Sequence, residues 1–181
     1  MRSGALRRAA HAATAAILVL PFIIDWQTFR YVVVSVAAVW MVVEGLRIRL
    51  PRIHEAFATV LPVFRDDEAT RVSGAGWLMV GYALAVWFPQ PAATAGILVV
   101  AFADPMASAV GTRFSRDRQK TVGGSVAFFV VSLAVLWSVG LPWSALAGAA
   151  FVGAVFERWP LGLNDNVVVA PAVSAAVFAL A

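Results

Sequence analysis

Two stretches of this chain gather residue types suited to binding phosphate. The first reads Ala103-Asp104-Pro105-Met106-Ala107-Ser108-Ala109-Val110-Gly111-Thr112-Arg113-Phe114, followed by Lys120-Thr121-Val122-Gly123-Gly124-Ser125. Asp104 closes an apolar run, and a carboxylate at the edge of a hydrocarbon core is costly enough that its default reading is functional. Arg113, Arg116, Arg118 and Lys120 then bring positive charge, and Gly123 and Gly124 sit just ahead of the next apolar run. A basic loop against backbone N–H groups at a helix start forms a phosphate cradle. The second stretch is Glu157-Arg158-Trp159-Pro160-Leu161-Gly162-Leu163-Asn164-Asp165-Asn166. The carboxylates of Asp104 and Asp165 and the amide of Asn166, facing a basic loop, could hold Mg²⁺ against the phosphates of a nucleotide. Phosphoryl transfer asks mainly for such positioning and charge neutralisation.

Each feature has a plainer reading. Asp104 could cap a helix that opens at Pro105, where the missing N–H costs nothing. The small residues Ala107, Ser108 and Gly111 could serve close helix packing. The arginines could be an ordinary basic loop, and Asn164-Asp165-Asn166 an ordinary helix cap. Weaker candidates are Glu44, Arg71 and His11. Glu44 lies one turn from the end of an apolar span and can pair with Arg47 at i,i+3. Arg71 precedes Ser73 and Gly74 at a helix start, and His11 lies within the first apolar run. The chain has no cysteine and only two histidines, His11 and His54. Thiol nucleophiles, Cys-based zinc sites and His-rich metal sites are thereby excluded.

The elements that must position these residues are helices in a membrane. Of 181 residues, 61% are hydrophobic and 13% charged, against about 25% charged in soluble domains. Apolar runs recur from end to end, and each crossing needs roughly 20 residues. The expected spans are about 6–24, 29–46, 74–88, 92–102, 122–139, 143–156 and 166–181, the last containing Pro171. An interfacial helix is expected within 53–64, where apolar and charged residues mix. The arginine-led run at 1–20 is read as the first span and not as a cleaved leader. The fold class is an all-α integral membrane protein with about seven transmembrane helices, one domain covering 1–181.

Orientation follows from the basic residues, which concentrate in cytoplasmic loops. A seven-helix count places Arg2, Arg7, Arg8, Arg47, Arg49, Arg52, Arg65, Arg71, Arg113, Arg116, Arg118, Lys120 and Arg158 on one side and Arg30 alone on the other. The N-terminus is therefore expected inside and the C-terminus outside. The net charge of +4 is explained by this asymmetry, with no nucleic-acid partner expected. Glu44, Asp66, Asp67, Glu68, Asp104, Asp117, Glu157 and Asp165 fall on or near the basic side, so the site is expected at the cytoplasmic face of the cell membrane. Asp25 falls on the other side, and Glu55 lies in the interfacial stretch.

With these residues in view, the sequence resembles the membrane lipid kinases that include dolichol kinase, phytol kinase and CTP-dependent diacylglycerol kinase. The resemblance rests on Asp104-Pro105-Met106-Ala107-Ser108-x-Val110-Gly111-x-Arg113-Phe114, on Lys120-Thr121-x-x-Gly124-Ser125, and on Glu157-x-x-Pro160 with Asp165-Asn166-x-x-x-x-Pro171. It departs from the family at Gly123, where Glu is common, and at Ser115, where Gly is common. It implies transfer of the terminal phosphoryl group of CTP, or another nucleoside triphosphate, to the hydroxyl of a membrane lipid. The acceptor would be an isoprenoid alcohol such as phytol, geranylgeraniol or dolichol, with diacylglycerol as the alternative. Asp104 and Asp165 would bind Mg²⁺, and Lys120 and Arg113 would neutralise phosphate. Gly111, Thr121, Gly123, Gly124, Ser125 and Asn166 would line the nucleotide phosphates, and Asp165 or Glu157 would act as base. The wider relatives include phosphatidate cytidylyltransferases, which would release pyrophosphate, but the Asp-Asn-x-x-x-x-Pro ending favours the kinases. A small transporter or membrane scaffold is the non-enzymatic rival. It would place polar residues near the bilayer midplane, whereas here they cluster at one face.

Overall fold

A computed structural model describes residues 2–60, 68–115, 120–159 and 162–181. The expectations for Arg65, Asp66, Asp67, Arg116, Asp117, Arg118 and Pro160 lie outside these residues. The described residues form helices α1 (Arg2–Ala13), α2 (Trp26–Arg49), α3 (Pro51–Val60), α4 (Gly74–Ala85), α5 (Gln90–Phe114), α6 (Val122–Ser138), α7 (Trp143–Arg158) and α8 (Asp165–Leu180). A 3₁₀ segment, Thr14–Phe22, continues α1. Thr14 Oγ1 donates to the His11 carbonyl at 2.6 Å, and hydroxyls that bond back along a helix distort it. The winding changes at that residue. No strand occurs among the described residues.

Local chemistry sets most helix starts. Asp25, Ser73 and Thr121 each accept the N–H three residues on, at 3.0–3.1 Å, and Asn164 accepts that of Asn166 at 3.1 Å. Each satisfies a donor that the first turn leaves over. Pro89 and Pro142 precede α5 and α7. Gly140 and Gly162 take positive φ in the turns before α7 and α8, a conformation glycine adopts without steric cost.

One boundary differs from the sequence reading. The apolar run at 92–102 does not stop at Asp104; α5 passes through Asp104 and Pro105 and ends at Phe114. Asp104 is therefore not an N-cap. Pro105 removes one interior hydrogen bond, but Ala101, Ala103, Pro105 and Ala107 are all buried, so packing on both sides holds the helix together across the gap. A helix, α3, is present over Pro51–Val60 in the stretch where one was expected.

α5 is the central element, packed by α6 and α8 and contacted by α1. Its residues Ala95, Ile97, Val99 and Val100 pack with Phe128, Leu136, Leu146 and Val173 in the core. Two glycines permit the closest approaches to α8. A Cβ at Gly96 would collide with Ser174 Oγ and the Ala170 carbonyl, and one at Gly81 with the Asn166 carbonyl. Small residues at such crossings are how apolar helices associate in lipid.

The outside of the bundle is apolar as well. α2 and α5 are long and apolar enough to cross a membrane. α2 exposes Val36, Val39, Val42 and Leu46, α5 exposes Phe102 and Met106, and α6 exposes Val126 and Val130. An outer surface of this kind calls for a lipid or protein partner.

Candidate active site

The sequence-predicted carboxylates meet at one end of the bundle, brought there by three helices. Asp104 comes from the later half of α5, Glu157 from the last turn of α7, and Asp165 from the first position of α8. Each offers an oxygen within 4.8 Å of the other two. Asn164 caps α8; Asp165 Oδ1 also accepts the Asn166 N–H at 3.0 Å, while its Oδ2 faces the cluster.

Lys120 enters from the segment ahead of α6 and closes the arrangement. Its Nζ lies 2.5 Å from Glu157 Oε1 and 2.5 Å from Asp165 Oδ2. Charge-assisted hydrogen bonds are the strong ones. Burial disfavours the ammonium, yet the Asp165 and Glu157 carboxylates outweigh it and raise the Lys120 pKa above its ordinary value. Ser125, one turn into α6, donates to Glu157 Oε2 at 3.4 Å and accepts from Arg158 at 3.4 Å.

His11 approaches Asp104, with Nδ1 3.6 Å from Oδ2, a separation longer than a hydrogen bond. Below it, Thr14 Oγ1 and Tyr82 OH lie 2.7 Å apart. Because Thr14 already donates to His11, Tyr82 is the donor. This pair joins residues 68 positions apart and had no signal in the sequence beyond a tyrosine in an apolar run, whose buried hydroxyl ordinarily finds a partner.

The glycine-rich start of α6 proves to be tightly packed. Thr121 Oγ1 takes the Gly124 N–H at 3.0 Å. A Cβ at Gly124 would sit 3.1 Å from the Ala107 carbonyl, and one at Gly123 would sit 3.0 Å from the Phe114 ring. Gly111 lies against Thr121 from the α5 side. These glycines bring the starts of α6 and the end of α5 together, and Arg113 is exposed at that end.

The remaining candidates form a second polar cluster. Glu44 accepts from Arg47 at 2.7 Å, from Ser73 N at 2.9 Å and from Ser73 Oγ at 2.7 Å. Arg47 also donates to the carbonyls of Glu68 at 2.8 Å and Arg71 at 2.7 Å. Glu68 in turn accepts the Gly74 N–H at 3.0 Å, a role that its place in an acidic run did not disclose. Asn166 donates to the Gly74 carbonyl at 3.0 Å, tying α8 to α4 beside the carboxylates. Glu44, Arg71 and Asn166 thus participate in joining helix ends.

Chemically, the three-carboxylate group is an all-oxygen donor set, which suits a hard divalent cation such as Mg²⁺. The lysine among them is a cation that can face phosphate. No family model matches the chain, and no solved structure matches it. It is similar to CTP-dependent diacylglycerol kinase 1 of Schizosaccharomyces pombe, with 27% identity over 166 residues, covering 76% of this chain and 73% of that protein. That similarity agrees with the resemblance to membrane lipid kinases carried by the motifs at Asp104, Lys120 and Asp165.

Proposed function

We propose that the protein is a CTP-dependent lipid kinase that phosphorylates the hydroxyl of a membrane lipid at the cytoplasmic face of a seven-helix bundle. The observation that carries this reading is the convergence of Lys120 with Glu157 and Asp165, beside Asp104. The relative's name makes diacylglycerol the first acceptor to test. An isoprenoid alcohol asks for the same geometry, since either brings one hydroxyl to the interface from an apolar body.

In the transfer, the lipid hydroxyl oxygen forms a bond to the γ-phosphorus as the bond from that phosphorus to the β,γ-bridging oxygen breaks. CDP leaves with the electron pair, and the hydroxyl proton passes to Glu157 or Asp165. Lys120 and Arg113 neutralise phosphate charge, and Gly111, Thr121, Gly123, Gly124, Ser125 and Asn166 shape the edge against which the phosphates rest. Asp104 and Asp165, with Glu157 beside them, would hold Mg²⁺, which when bound neutralises phosphate oxygens.

The test is transfer of labelled γ-phosphate by the purified protein, pairing CTP and ATP with diacylglycerol, phytol, geranylgeraniol and dolichol. Labelled lipid phosphate together with CDP is expected. Release of pyrophosphate with CMP left on the lipid would instead make it a cytidylyltransferase.

A further inference from the structure

A groove of about 450 Å³ runs between α6 and α7 and reaches Ser125 and Arg158, next to Glu157 of the candidate site. Ligand sites typically occupy about 300–1,000 Å³. On α6 it is lined by Val122, Ser125, Val126 and Phe129, whose spacing of i, i+3, i+4 and i+7 is one helix face. On α7 it is lined by Phe151, Ala154 and Arg158, which also share a face. Both sets cover two turns, so the groove is roughly 10 Å long at 1.5 Å per residue.

Its two ends differ in chemistry. The inner stretch is apolar, and Val126 and Phe151 there are 56% and 64% exposed, so the groove opens sideways to the hydrocarbon. The other end carries Ser125 and Arg158, and Ser125 is bonded to Glu157. Arg158 also lies over the Trp159 ring, 5.4 Å from its centroid, and tryptophan is favoured at membrane interfaces. A second groove, of about 300 Å³ between α2 and α4, is lined by apolar residues alone and offers no anchor for a head group.

We propose that the α6–α7 groove binds the hydrocarbon chain of the acceptor lipid and delivers its hydroxyl to Ser125 and Glu157. This rests on the kinase reading, and its occupant is a lipid alcohol because the groove is continuous with the polar cluster through Ser125. The groove grips only the head-proximal part of the chain. Acceptors that differ beyond about 10 Å from the hydroxyl, two helical turns of contact, are therefore equivalent to it.

The test uses the full-length protein in phosphatidylcholine nanodiscs with a long-chain primary alcohol carrying a photoreactive diazirine near the hydroxyl. Adducts are expected on Val126, Phe129 and Phe151, suppressed by unlabelled long-chain alcohol and not by an alkane of equal length. Val126→Trp and Ala154→Trp, which fill the groove, should each remove the adducts, whereas Ala38→Trp in the α2–α4 groove should not. In turnover, Val126→Trp should raise the acceptor KM about tenfold and leave the CTP KM unchanged, the signature of lost acceptor binding alone. Adducts spread evenly over the lipid-facing helices, or surviving both groove-filling variants, would overturn the proposal. Adducts in the groove with no γ-phosphate transfer to any acceptor would uphold the subsite and overturn the kinase reading. Transfer with adducts elsewhere would do the reverse.

Discussion

Lys120 holds two carboxylates that come from different helices, so its charge acts on both the site's electrostatics and its shape. Under the kinase reading, Lys120→Ala should lower kcat by about 10²- to 10³-fold, the usual effect of removing one preorganised stabilising group. Asp104→Asn keeps nearly the same volume and removes only the charge. It should abolish γ-phosphate transfer in protein that elutes and melts as the native form does, and retained full activity would sink the assignment of Asp104. The raised Lys120 pKa fixes the sign of a pH effect. A group whose folded pKa lies above its ordinary value, 10.5 for this lysine, contributes its full stabilisation below that value and loses it only as pH rises through the raised one. Lys120 therefore stays cationic between about pH 6 and 9. Lys120→Arg should leave the shape of the activity profile over that window unchanged, and a new alkaline fall within it for the native protein alone would contradict the assignment.

The helices are positioned by polar ties at their ends as much as by their apolar faces. Glu44 and Arg47 are each only 1% exposed, and with Ser73 they bind the end of α2 to the start of α4. Removing one member of a buried ion pair leaves the other uncompensated and costs about 3–5 kcal/mol. Glu44→Gln and Arg47→Met should each lower stability by roughly 3 kcal/mol in detergent unfolding. The double variant should cost less than their sum, because the two act through one shared contact. This pair was legible in the sequence because i,i+3 spacing on one helix face requires nothing else to be known. The ends of most helices were legible for the same local reason, since Ser73, Thr121, Pro89 and Pro142 act on their own first turns. The passage of α5 through Pro105 was not, because it depends on what packs against Ala101 and Ala107. Nor was the contact of Tyr82 with Thr14, or the groove between α6 and α7. Those depend on which faces of separate helices meet, and periodicity within one helix does not say.

At the scale of the whole molecule, the helix ends alternate between two poles. Arg49, Gly74, Phe114, Val122, Arg158 and Asp165 mark the pole of the candidate site. At the other, Asp25 caps α2 and Arg30 donates to the Val86 carbonyl at 2.9 Å. The convergence of Asp104, Glu157 and Asp165 was foreshadowed in the sequence by their common side in a seven-helix count, a long-range inference that needed only the parity of the crossings. The same parity leads to the proposal that the site pole faces the cytoplasm, because positive charge in short loops resists translocation. The absence of cysteine makes this directly measurable, since any introduced thiol is the only one in the chain. Thr112 is exposed near the site end of α5 and Ser138 is exposed at the opposite end of α6. In intact cells, a membrane-impermeant maleimide should label Ser138→Cys and should label Thr112→Cys only after permeabilisation. The reverse pattern would place the site outside, away from the cytosolic pool of CTP, and would overturn the orientation and the kinase reading together. Labelling of both in intact cells that remain impermeant would mean that the two poles do not lie on opposite sides of a bilayer, and the seven-crossing arrangement would fall.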